Sequence, residues 1–115
     1  MNTEEKIKND KALAYFLGWR IDNSFPDKGK VWRKGNLVEL ETTFKFNTDW
    51  NLLMEVKELI NRLDRYFVHI FPNQCQIFIN TSTRSISMYN IYSAESTHDA
   101  AYKCLSEFVL KYNQE

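Results

Sequence analysis

The sequence predicts an α+β fold, because the hydrophobic pattern changes its period along the chain. Over 48–65 apolar residues recur every three or four positions, as in an amphipathic helix, and over 66–89 they alternate as in strands. Two further helical segments lie near the ends of the chain. We therefore expect one domain over 1–115 in the order α-β-β-α-β-β-β-α, with helices packed on an antiparallel sheet made of a hairpin and a three-stranded meander.

The central helix is predicted to begin at Thr48 and to pass almost directly into a strand after Arg65. Thr48 is a suitable N-cap, and Asp49 places a negative charge at the positive end of the helix dipole. Trp50 and Met54 lie off the apolar stripe, so packing of that stripe does not account for them. The stripe itself consists of Leu53, Val56, Ile60 and Leu63.

The chain is predicted to begin and end with a helix. Apolar spacing indicates a helix over 4–17, and Gly18 follows as a residue that can adopt the left-handed conformation that ends a helix. Near the other end, Ser96 with Asp99 three residues later resembles a capping box, which predicts the start of the closing helix.

A loop and a hairpin are predicted between the first two helices. Residues 20–30 combine Pro and Gly with polar residues, which is typical of a loop. Strands at Val31–Arg33 and Leu37–Phe46 are then joined by Lys-Gly-Asn. Val38 and Leu40 alternate with glutamates, so we expect them to be the buried side of a half-buried strand.

The meander is predicted to have two faces of different character. The apolar face would pack against the helices and comprises Val68, Ile70, Cys75, Ile77, Ile79, Ile86 and Met88. The outer face mixes aromatic with small polar residues and comprises Phe67, His69, Phe71, Gln76, Phe78, Ser85, Ser87 and Tyr89. Either the first helix covers this outer face or the face is exposed and contacts another protein.

Composition narrows the class of function. Fifteen basic and fifteen acidic residues cancel, so the overall charge does not attract nucleic acid or a membrane. Eight Phe, six Tyr and three Trp are a surplus of aromatics, which fill cores and anchor interfaces. The polar N-terminal segment, and no apolar run near the roughly 20 residues of a membrane span, predict a cytoplasmic protein.

We expect no enzyme activity, no cofactor and no metal. Cys75 and Cys104 are far apart in sequence and lack the spacing of a zinc site, so we expect buried thiols that meet in a reduced core. With three Gly and no phosphate-binding or nucleophile motif, an oxyanion-binding turn has no evident location. His98 beside Asp99 is explained by capping of a helix rather than by general-base catalysis.

Two segments resemble a known family. T-D-W-N-L-L-M-E-V-K-E-L-I (Thr48 to Ile60) and E-F-V-L-K-Y-N (Glu107 to Asn113) resemble T-S-W-D-W-L-M-P-V-V-E-K-I and E-F-I-K-W-Y-N of small uncharacterised proteins from Bacteroidetes and their phages. A-Y-F-L-G-W (Ala14 to Trp19) is similar to a motif of phage-associated α-β-α sandwich proteins. Leu52 and Glu55 depart from the pattern, replacing Trp and Pro. The resemblance implies a compact α/β domain from a phage or mobile element and supplies no activity.

The leading expectation for function is a non-enzymatic protein-interaction module, with a homodimer as one form of it. The aromatic surplus, the mixed outer face and the lack of catalytic motifs support it. The residues predicted to form the interaction surface are Trp50, Met54, Phe78 and Tyr89.

The alternative is weak binding of single-stranded nucleic acid by the Lys28 to Lys34 hairpin. Basic groups around an aromatic ring can hold phosphates and stack a base. The residues predicted to make these contacts are Lys28, Lys30, Trp32, Arg33 and Lys34.

Overall fold

The computed structural model describes residues 3–24, 30–80 and 86–113, without the side chains of residues 42 and 86–89. The described residues form three α-helices and two three-stranded antiparallel sheets, so the predicted α+β class is confirmed. In chain order the elements are α1 (Thr3–Phe16), β1 (Arg20–Asp22), β2 (Val31–Lys34), β3 (Leu37–Leu40), α2 (Trp50–Asn61), β4 (Tyr66–Phe71), β5 (Gln74–Asn80), β6 (Ile86–Ser93) and α3 (Thr97–Tyr112). The hairpin and the meander belong to separate sheets, and β1 is a strand that the sequence did not predict.

Helix α1 ends in the predicted glycine cap. Gly18 has φ of 102°, and its N–H donates to the Tyr15 carbonyl at 3.0 Å. The Trp19 N–H donates to the Ala14 carbonyl at 3.0 Å, which completes a Schellman motif. This turn directs Trp19 into the core, where its ring lies edge-on to Phe44 at 5.1 Å between centroids.

Strand β1 lies within the segment that the sequence predicted as loop, and that prediction is wrong for Arg20–Asp22. Three residues are too few to show an alternating pattern, so their conformation depends on the partner strand. Ile21 pairs with Trp32 of β2, and the Asp22 carboxylate accepts a hydrogen bond of 2.7 Å from Arg33. The strand is therefore defined by contacts with residues about ten positions away.

The expected burial pattern of β3 is reversed. Val38 and Leu40 are 43% and 46% exposed, whereas Glu39 lies opposite Trp32 and is partly buried. After Leu40 the chain enters a short 3-10 helix, Glu41–Thr43, so the strand is shorter than predicted. Glu41 accepts a hydrogen bond of 3.0 Å from the buried Trp32 indole, which keeps the acidic side of the segment toward the protein.

Helix α2 begins and ends inside the predicted bounds. Its N-cap is Asp49 rather than Thr48, because the Asp49 carboxylate accepts a hydrogen bond of 3.1 Å from the Leu52 N–H. The helix ends at Asn61, whose side-chain oxygen accepts from the Val68 N–H at 3.0 Å. A turn containing Asp64 in the left-handed conformation, with φ of 60°, then leads into β4.

The larger sheet has the order β4-β5-β6, and the helices lie on one side of it. Helix α2 packs on β4, α3 packs on β5 and β6, and α1 packs on α3. The inner face of the sheet is buried beneath this helical layer through Tyr66, Val68, Cys75 and Ile77. Of the two alternatives for the outer face, coverage by the first helix is therefore excluded.

Strand β6 contains an irregularity that changes the phase of its alternation. Ile77 pairs with Asn90 whereas Phe78 pairs with Met88, so Tyr89 is an extra residue without a partner in the register. The simple alternation from which Tyr89 was placed on the outer face does not run through this position. In the register Met88 lies opposite Phe78 and Ile86 lies opposite Asn80, so the prediction that Ile86 and Met88 share a face with Ile77 is wrong.

Candidate interaction surface

The outer face of the larger sheet is the candidate site, and we use this name for the outward residues of β4, β5 and β6. Cross-strand pairing aligns Phe67 with Phe78, and it aligns His69 with Gln76 and Ile91. The members with described side chains are Phe67, His69, Phe71, Gln74, Gln76, Phe78, Asn80, Ile91 and Ser93. Three large apolar side chains are well exposed, namely Phe67 at 41%, Phe71 at 43% and Ile91 at 46%.

The polar groups of the outer face bond mostly to one another. The Gln76 amide donates to the Gln74 side-chain oxygen at 2.9 Å, and the Gln74 amide donates to the Ser93 hydroxyl at 3.3 Å. The His69 ring lies edge-on to Phe78 with centroids 5.4 Å apart, and it lies 6.2 Å from Phe71. These lateral contacts leave an ordered surface of rings and amides.

None of the nine described residues of the outer face is Lys, Arg, Asp or Glu. In the whole chain 26% of residues carry such a charge, so this surface differs from the remainder of the protein. Depletion of charge together with exposed aromatic rings is the compositional signature of an interface core.

Trp50 and Met54 lie on the other side of the sheet from Phe78, because α2 packs on the inner face of β4. Trp50 is 39% exposed and lies edge-on to His98, with ring centroids 5.4 Å apart. Met54 is partly buried and lines a cleft that also contains Lys34. Phe78 belongs to the outer face, and the side chain of Tyr89 is outside the described residues.

The residues predicted as one interaction surface therefore do not come together. Alternation correctly indicated that Phe67 and Phe71 face outward, but not that they are more exposed than Phe78. Ile91 was missed because the predicted third strand of the meander ended at Tyr89, whereas β6 continues to Ser93.

The predicted nucleic-acid contacts are dispersed as well. Trp32 is 3% exposed, and its ring packs edge-on against Phe44, so it presents no free ring to a base. Arg33 is engaged with Asp22, and Lys34 lies at the cleft beside Met54. Lys30 lies next to Lys11 of α1, and Lys28 is outside the described residues.

Cys75 and Cys104 are both fully buried, as predicted, and their thiols interact across the contact between β5 and α3. Interaction with Cys75 and burial both raise the pKa of the Cys104 thiol, and the same interaction lowers the pKa of the Cys75 thiol. The Cys104 thiol is therefore a protonated, enclosed packing group.

No protein-family model, curated protein or solved structure matches this chain. Within 3–24, 30–80 and 86–113, no group of three or more His, Cys, Asp or Glu residues is arranged to hold a metal ion. None of the helices in these ranges combines the length and the apolar character needed to cross a bilayer.

Proposed function

We propose that this protein is a non-enzymatic protein-interaction module whose outer face associates with the outer face of a second copy. The observation that carries the proposal is the exposure of Phe67, Phe71 and Ile91 on an uncharged sheet face that no described helix covers. Of the two functions expected from the sequence, we retain protein association because Trp32 is buried. The cytoplasmic location and the phage or mobile-element origin remain predictions.

Charge favours a second copy as the partner. A face without formal charge offers no electrostatic complementarity to an unlike partner, and two identical faces of this kind do not repel each other. The zero formal net charge of the chain adds no long-range repulsion between copies. Gln74 and Gln76 each carry both donors and acceptors, so identical faces can also satisfy one another's amides.

The size of the outer face sets the expected strength of the dimer. Three strands spaced about 4.8 Å apart, each about six residues long at about 3.3 Å per residue, give a face of roughly 14 by 20 Å. Stable interfaces bury about 800 Å² per partner, which is more than a face of this size supplies. We therefore expect a weak, reversible dimer in which the two sheets pack face to face.

Sedimentation equilibrium over a range of concentrations tests the proposal. The expected result is a monomer–dimer equilibrium that Ile91→Lys shifts to the monomer, since two lysines would enter an uncharged interface. Leu37→Lys is the matched control, because Leu37 is 61% exposed on the smaller sheet. Circular dichroism establishes that both variants are folded.

Two outcomes would overturn the proposal. One is a wild-type protein that remains a monomer at the highest soluble concentration. The other is a dimer that Leu37→Lys disrupts and Ile91→Lys leaves intact, because the interface would then lie at the edge of the smaller sheet.

A further inference from the structure

A cleft of about 350 Å³ lies between α1 and the segment that joins β3 to α2. Its walls combine cationic, anionic and apolar side chains in a small volume. The cations are Lys6, Lys11 and Lys45, the anions are Asp10 and Glu41, and the apolar groups are Ile7 and Phe44. We call it the lysine cleft.

Both carboxylates of the lysine cleft are held by donors from the core. Asp10 is 8% exposed, and it accepts hydrogen bonds from the Tyr102 hydroxyl at 2.8 Å and from Lys6 at 2.9 Å. Glu41 accepts the hydrogen bond from the buried Trp32 indole. Because the buried Tyr102 and Trp32 each donate to one of these carboxylates, the anions are turned toward the protein rather than toward a ligand.

The ammonium groups of Lys11 and Lys45 have fewer hydrogen-bond and ion-pair partners than the carboxylates of the lysine cleft. Lys11 lies 3.8 Å from Glu41, and Lys45 makes no ion pair with any residue in the described ranges. Contact with Lys30 and partial desolvation lower the pKa of Lys11, against the opposing effect of Glu41. The lining has three ammonium groups and two carboxylates. Lys30, which contacts Lys11 from outside the lining, adds a fourth ammonium group, so the lining and Lys30 together have an excess of two positive charges.

The floor of the lysine cleft is apolar and rigid. Phe44 is 5% exposed, and its ring is fixed by edge contacts with Trp19 and Trp32 at 5.1 and 5.9 Å. Ile7 is 43% exposed and lies on the wall formed by α1. Ile7 therefore supplies the accessible apolar surface on which a flat apolar group of a ligand can pack beside the edge of Phe44, while the anionic group of the ligand meets the lysines.

We propose that the lysine cleft binds a small phosphate monoester carried on a flat apolar body of about one aromatic ring. The charge of such a monoester, about −2 above its second ionisation, matches the excess of two positive charges. Lysine ammonium groups bind phosphate as mobile point charges and need no fixed fork geometry. The cavity is near the lower end of ligand-pocket volumes, roughly 300–1,000 Å³, which limits the ligand to a single-ring size.

An NMR titration of the full chain with phenyl phosphate tests this proposal, since the probe combines the anion and the ring. The expected result is saturable shifts of the Lys11 and Phe44 amides and of the Trp32 indole N–H. Phenol, inorganic phosphate and benzoate should each bind at least about tenfold more weakly, because each lacks the ring or part of the charge. Equal binding of phenyl phosphate and inorganic phosphate would overturn the proposed ligand class.

Paired variants locate the site. Lys11→Gln combined with Lys45→Gln should weaken binding of phenyl phosphate by at least about tenfold. The matched control is Lys57→Gln combined with Lys103→Gln, which removes the same charge away from the cleft and should leave binding unchanged. Equal weakening by both pairs would show that the effect comes from net charge alone, and it would contradict binding in the lysine cleft.

This proposal is independent of self-association. Ile91→Lys alters the outer face and leaves the lysine cleft intact, so a monomeric Ile91→Lys protein should bind phenyl phosphate as the wild type does. Loss of binding in that folded variant would contradict the assignment to the lysine cleft.

Discussion

The two faces of the larger sheet are built from the same strands, yet they have opposite environments. Along β4 the buried Val68 follows Phe67, which is 41% exposed, and along β5 the buried Ile77 precedes Phe78. Both faces carry residues that favour strands, so strand propensity does not distinguish them. The difference is that α2 and α3 cover the inner face, while the described helices leave the outer face open. Apolar character therefore stabilises the fold on one side and is available for association on the other.

The largest expected effect comes from truncating the inner face. Ile77→Ala removes a fully buried side chain beneath the helices and should lower the free energy of unfolding by about 2–5 kcal/mol. Phe67→Ala is the matched variant on the outer face and should cost less than about 1 kcal/mol, because the ring is already partly in water. Urea unfolding measures both values. Similar losses for the two variants would show that the faces are not energetically distinct.

The next largest loss of stability is expected from the hydrogen bond between Tyr102 and Asp10 within the helical layer. Tyr102→Phe removes the hydroxyl that bonds to Asp10 and should cost about 1–3 kcal/mol, because the carboxylate of a buried residue loses a donor. Tyr15→Phe on the exposed side of α1 is the control and should change stability by less than about 0.5 kcal/mol. Thermal unfolding compares the two variants. Equal stability of Tyr102→Phe and Tyr15→Phe would contradict a stabilising role for the Tyr102 hydroxyl.

The start of α2, the helix that covers β4, provides a smaller test. Asp49→Ala removes the acceptor for the Leu52 N–H and should cost about 1 kcal/mol. Thr48→Ala should cost less, because its hydroxyl makes only a long hydrogen bond of 3.4 Å to the Lys45 carbonyl. Urea unfolding separates the two, and a greater loss in Thr48→Ala would restore Thr48 as the cap.

The smallest effect is a change in the pKa of one carboxylate, and it is expected in the smaller sheet, away from both faces of the larger sheet. Hydrogen bonds from the Ser24 backbone N–H and from Arg33 lower the pKa of Asp22 from 3.8 to about 2. Since the folded pKa is below the ordinary value, the stabilisation is present above that value and is lost as the pH falls through about 2. Carbon NMR should show that Arg33→Gln raises this pKa only part of the way. Arg20→Gln is the control and should leave the pKa of Asp22 unchanged. A full return of this pKa to 3.8 in Arg33→Gln would contradict the role of Ser24.

Features that depend on short stretches of sequence were predicted well. The Gly18 cap, the turn between β2 and β3 and the Ser96 cap on α3 all follow from residues within one turn, and the structure has each of them. Three of the four residues of the predicted α2 stripe, Leu53, Val56 and Ile60, are fully buried in the helix, whereas Leu63 follows the end of α2 and is partly buried. Such features need only local geometry and a periodic pattern.

Features that depend on distant partners were decided by the tertiary structure. Strand β1 exists through its pairing with β2, and the phase of β6 changes at an irregularity that no local pattern marks. The candidate sites are of the same kind, because the exposure of Phe67 and Ile91 follows from where the helices pack. The lysine cleft joins α1 to residues about thirty positions later. Along β4 and β5, sequence periodicity determined which side chains share a face, and only long-range packing decided which face is covered.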